Sequence, residues 1–142
     1  MKHIVSAIVF LTCLFVSICI GSKPADSPEI TLEVLRGTKD WTPSKIRNMI
    51  SRVSYLYDYP EKSLTKLALS ESSFRHNVVG DGGLAYGLYQ YHKPTWILFT
   101  KKYGLESFNI KDPVDQTVIT IEALNDNQHC NWTPLRKQFN CL

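Results

Sequence analysis

Residues 67–96 read LALSESSFRHNVVGDGGLAYGLYQYHKPTW, and the fold turns on where helical patterning stops inside this stretch. Leu64, Leu67 and Ala68 recur at i, i+3 and i+4, the spacing that lines up side chains on one helix face, so a helix is expected from Glu61 to about Ser72. Between Asn77 and Pro94 that period is lost. Gly80, Gly82, Gly83 and Gly87 are four of the chain's seven glycines, which implies tight turns and close backbone approaches in a loop or short hairpin. Helical character returns from Thr95 to Tyr103 and closes at Gly104.

On the N-terminal side, Thr42 suits a cap and Pro43 a first turn. Ile46, Met49, Ile50, Val53, Leu56 and Tyr57 then keep helical spacing until Tyr59-Pro60 stops them. On the C-terminal side, Asp112-Pro113 repeats the cap-and-proline start, and Val118, Ile119, Ile121 and Leu124 carry the pattern on. Helices around one glycine-rich excursion predict a mainly α domain of the α+β class, with little room for a parallel sheet. Internal repeats and low-complexity tracts are absent from the sequence.

The chain has 142 residues and a formal net charge of +3. Met1-Lys2-His3 is a short basic start, Ile4 to Ile20 carries no charge, and Cys19 and Gly21 put small residues at the −3 and −1 places. That is the layout of a secretory signal peptide over residues 1–21. The alternatives are an uncleaved anchor, since the uncharged run reaches the lower limit for a membrane helix, and a lipid on Cys19. Each of these places the domain outside the cytosol. Cleavage leaves residues 22–142, enough for one core, and loss of Lys2 lowers the net charge to +2. So mild a balance, with no long basic run, argues against a nucleic-acid binder. Residues 22–41 read as a linker or N-terminal arm, with a short apolar patch at Ile30, Leu32, Val34 and Leu35, and residues 42–142 as the domain itself. In an oxidising compartment Cys130 and Cys141 can form a disulfide that ties down the tail. Zinc held by His129, Cys130 and Cys141 lacks a fourth spaced ligand, and no metal or organic cofactor is expected.

Glu71 continues the stripe of Leu64, Leu67 and Ala68 at i+7, so its carboxyl falls on the face that the helix buries. Desolvation disfavours its ionised form, as does the negative end of the helix dipole in the last turn. Both raise the pKa, as a general acid requires. Two features compete with that reading: Arg75, four residues on, could pair with Glu71, and a glutamate at a frayed helix end needs no function.

The segment 67–96 resembles the lysozyme-like superfamily, in particular soluble lytic transglycosylases and the related phage and goose-type muramidases. Glu71-Ser72 closes a helix, Gly87-Leu88-Tyr89-Gln90 takes the place of the Gly-Leu-x-Gln segment that lines the cleft, and Pro94-Thr95 takes that of the helix start. The resemblance implies a lysozyme-like helical domain whose glycine-rich loop or short β-hairpin lines a cleft. It implies Glu71 as the catalytic acid, and Ser72, Tyr86, Gly87 and Gln90 as substrate-binding residues. The alternatives are that the Ser72 hydroxyl satisfies a helix end and that Gln90 braces the loop. If the loop is extended, Leu88 and Gln90 face one way and Tyr89 and Tyr91 the other. Trp96 reads as core, and Trp132 as a core plug for the tail or, alternatively, a cleft wall.

Three departures stand out. The Ala-Tyr-Asn segment common in members that release anhydro-muramic products does not occur after Gln90, Leu84 replaces the usual small residue, and the proline comes one place late. The attacking group is therefore open between water and the sugar's own C6 hydroxyl. Asp81 is the only acid of the glycine loop and the candidate second carboxylate, although Gly80-Asp81-Gly82 is also what a tight turn asks for.

The expected function is a secreted or envelope-facing muramidase, acting as a monomer on peptidoglycan glycan strands at the bond between N-acetylmuramic acid and N-acetylglucosamine. It would use membrane only if the leader is retained. The competing readings are a non-catalytic glycan-binding module of the same fold, and a small disulfide-stapled interaction protein.

Overall fold

The computed structural model describes residues 30–136 and 138–141, so the expected leader and the first part of the arm lie outside the described residues. Among the described residues are six α-helices and one small sheet: α1 Leu32–Arg36, α2 Pro43–Leu56, α3 Glu61–Ser72, α4 Lys93–Tyr103, α5 Pro113–Asn125 and α6 Thr133–Arg136. The strands β1 Val79–Gly80, β2 Ala85–Tyr86 and β3 Tyr91–His92 sit between α3 and α4. They form an antiparallel sheet in the order β1-β2-β3, with Val79 opposite Tyr86 and Tyr86 opposite Tyr91. The architecture is the mainly helical α+β class expected from the glycine-rich break.

α5 is the centre of the molecule. Asp112 Oδ1 accepts from the amides of Val114 at 2.8 Å and Asp115 at 3.2 Å, which satisfies the first turn. Every residue from Pro113 to Ile121 is buried, as befits a helix packed on all sides. α1, α2, α3 and α4 pack around it. α2 contributes Ile46, Met49, Ile50 and Val53 from one face, and its start is the expected Thr42 cap, whose Oγ1 accepts from Lys45 N at 3.3 Å.

Within the stretch read as linker or arm, Leu32–Arg36 is helical and docked. Leu35 is buried, and the Arg36 guanidinium meets the buried Asp115 carboxylate at 2.5 Å while stacking over the Phe108 ring. At the other end Cys130 and Cys141 are disulfide-bonded, closing α6 into a short stapled tail.

The extended reading of residues 88–91 needs correction. Gly87, Leu88, Tyr89 and Gln90 form the turn of the β2–β3 hairpin, with Gly87 and Gln90 both in the left-handed region at φ 77° and 52°. Alternation holds only along a pleated strand, so Leu88 and Tyr89 can be buried in succession here, at 0% exposure each. α4 also starts earlier than Thr95, because Lys93 and Pro94 fill its first turn directly after β3.

Candidate active site

Glu71 stands in the last turn of α3, one turn beyond the fully buried Leu67 and Ala68. Its carboxyl is half-buried, and desolvation raises its pKa above the ordinary glutamate value. Among the described residues it takes part in no ion pair. Arg75, the residue that could have held it charged, instead donates from Nε to the Ser72 carbonyl at 3.0 Å. The same helix-end carbonyl also accepts from Arg75 N at 3.1 Å, so the guanidinium is directed to the backbone.

α3 ends abruptly. Ser73 and Phe74 both adopt left-handed backbone, at φ 53° and 62°, with amides donating to Leu69 O at 3.0 Å and Ala68 O at 3.4 Å. Left-handed conformation in non-glycine residues stores strain on the order of 1–3 kcal/mol each. The burial of the Phe74 ring, with the Arg47 guanidinium 4.3 Å above it, holds the turn in place. The chain therefore leaves α3 immediately after Glu71-Ser72 and enters the sheet. Ser72 is buried and its hydroxyl donates to Ala68 O at 3.1 Å, the local helix-end bond.

Gln90 and Gln116 hold the hairpin turn from two sides. Gln90 Nε2 donates to Gly87 O at 2.8 Å and to Val78 O at 3.3 Å, tying the turn to the residue before β1. Gln116 projects from the first turn of α5, 1% exposed, and its Oε1 accepts from Tyr89 N at 2.9 Å. Its Nε2 donates to Tyr86 O at 3.0 Å and also to Ile110 O. A Cβ on Gly87 would lie 2.1 Å from Gln116 Nε2, and one on Gly80 would lie 2.3 Å from Gln90 Oε1, so each glutamine occupies the space that a glycine leaves. Tyr89 O accepts from Trp132 Nε1 at 3.0 Å. Trp96 and Trp132 both pack edge-on against the buried Tyr91 ring, as core residues.

The hairpin is flanked by two hollows. Tyr86 and Gly87 border one of about 410 Å³, together with His76, Asn77, Val79 and Lys111. Gln90 borders a smaller one of about 200 Å³, beside His92, Thr95 and Asn131. The structure thus brings Tyr86 and Gly87 together and puts Gln90 at a different opening, while Glu71 lines neither. Asp81 is exposed in the tight turn after β1, its Oδ2 3.0 Å from His92 Nε2. No group of three or more metal-ligating side chains converges among the described residues, and no helix among them is long and apolar enough to cross a membrane.

Gln116 was not singled out from sequence. The available signal was an amide among the apolar positions of this helix, since a buried amide must find partners. Its partners, Tyr86 and Tyr89, lie 30 and 27 residues away, beyond the reach of any local pattern.

The model of the transglycosylase SLT domain matches residues 48–131, more than half of the chain, from α2 through the turn that precedes α6. α1 and most of the stapled tail fall outside the match. No curated protein matches the chain.

Proposed function

The chain belongs to the transglycosylase SLT domain family, a peptidoglycan lytic transglycosylase type, and from that premise we propose that it cleaves the bond between N-acetylmuramic acid and N-acetylglucosamine with Glu71 as its acid. The observation that carries this reading is a carboxyl desolvated at the close of α3, unpaired by Arg75, with its pKa raised. In the first step the Glu71 carboxyl gives its proton to the glycosidic oxygen as the bond from muramic C1 breaks, so the N-acetylglucosamine side departs with a free hydroxyl. The carboxylate then accepts a proton from the nucleophile that closes on C1. If that is the C6 hydroxyl of the same sugar, the product is an anhydro ring, and if it is water, a reducing end.

Tyr86, Gly87 and Gln90 are the proposed sugar contacts, and Ser72 supports the helix end beside Glu71. The exposure of Asp81 and its pairing with His92 favour a turn role for that residue and a single-acid mechanism. Action outside the cytosol, in the envelope or secreted, fits the Cys130–Cys141 disulfide, which an oxidising compartment sustains.

Incubation with purified peptidoglycan tests the reading. The wild-type chain releases soluble muropeptides, and Glu71→Gln lowers the rate by about a hundredfold or more while still sedimenting with the polymer. Equal inertness of both proteins, with binding retained, would identify a glycan-binding module instead. Loss of a water's mass on the terminal muramic residue marks transglycosylation, and an intact reducing end marks hydrolysis.

A further inference from the structure

We propose that the hollow beside Tyr86 and Gly87 is a subsite for the carboxylate-bearing peptide branch of the glycan, laid in extended form along the free edge of β1 and met by Lys111. The inference rests on the glycan-cleaving reading above and adds to it the part of the substrate that this side of the hairpin takes.

Backbone geometry supplies the first support. β1 is an outer strand of the sheet, and on its inner side Val78 O accepts from Gly87 N at 2.8 Å while Gly80 O accepts from Leu84 N at 3.1 Å. Peptide groups alternate in direction along an antiparallel ladder, so those of Val79, between these two, point away from β2. Val79 is 56% exposed and lines the hollow. An outward N–H and C=O pair on an edge strand is the element that captures extended peptides by strand addition. Because β1 has only two residues, it suits a branch a few residues long and is a poor template for a long chain.

Charge supplies the second. The lining contains Lys111 and His76 and no carboxylate. Lys111 is exposed and joins no ion pair among the described residues, and the adjacent Asp112 directs Oδ1 to the amides of Val114 and Asp115. A cation at the rim of a hollow without acids selects an anionic occupant. Continuity supplies the third, since Tyr86 and Gly87 belong both to the proposed sugar-contacting segment and to this lining. A branch leaving a muramic residue held there enters the hollow without crossing the hairpin.

The test compares initial cleavage rates on intact peptidoglycan and on the same polymer stripped of its peptides by an amidase. Three proteins are used: wild type, Lys111→Glu, and Lys101→Glu as an exposed control on α4. Wild type prefers the peptide-bearing polymer, and Lys111→Glu lowers that preference by about three- to fivefold, the size of a lost rim charge contact. Lys111→Ala lowers it less, and Lys101→Glu leaves it as in wild type. Equal wild-type rates on both polymers, or a preference unmoved by Lys111→Glu, would overturn the subsite while leaving glycan cleavage standing. Wild-type inertness on both polymers would remove the glycan-cleaving reading and the subsite with it.

Discussion

Two side chains carry the account at the level of single residues. Glu71 is half-buried and desolvation raises its pKa, while Gln116 is wholly buried and does no chemistry, yet one amide accepts from Tyr89 N and donates to Tyr86 O. Replacing Gln116 by Met keeps the volume and removes the amide's bonds to Tyr89 N, Tyr86 O and Ile110 O, which costs about 2 kcal/mol or more of stability. Denaturant unfolding of Gln116→Met measures the loss, and a midpoint equal to wild type would show that the amide is dispensable. The two residues differ in how visible they are beforehand. Glu71 is legible because its neighbours at i−3, i−4 and i−7 are its own helix's apolar stripe. Gln116 is not, because its bonds reach across the fold to a turn whose shape no periodicity describes.

Among the elements, α5 and the hairpin define each other, and α1 is clamped to both the α5 start and the loop before it. Arg36 reaches Asp115 Oδ1 from one side while Asp115 Oδ2 accepts from Asn109 N at 2.8 Å on the other. Truncation by Arg36→Ala leaves that carboxylate, 4% exposed, with only one amide partner. The expected cost is about 1–3 kcal/mol, below that of a fully buried pair because the Arg36 side chain is partly in solvent. Thermal unfolding of the chain with and without the substitution reads this directly, and an unchanged Tm would mean that α1 rests on α5 without supporting it. The long helices were legible from caps and spacing: Thr42, Pro43, Asp112 and Pro113 mark starts, and Gly104 marks a stop at φ 69°. The docking of α1 was not, since a five-residue helix has too few positions to show a period, and its partner Asp115 is 79 residues away.

For the molecule as a whole, the fold arranges one buried helix as a post and hangs a glycine-rich hairpin from it. Gln116 holds one side of the hairpin turn and Trp132, from the disulfide-closed tail, holds the other. The class was readable in advance because glycine clustering between two helical stretches leaves few topologies. The detailed path from the end of α3 through the hairpin was not, because Ser73, Phe74 and Gln90 take left-handed backbone that only tertiary packing enforces. All of this matters to function through the state of the Glu71 carboxyl, which as an acid must keep its proton where an exposed glutamate would have lost it. Following the Glu71 side-chain carboxyl carbon by NMR through a pH titration of the folded chain tests that directly. The account predicts a midpoint above the ordinary glutamate value of 4.5, so that the protonated acid persists at higher pH. A midpoint at or below that value would contradict it.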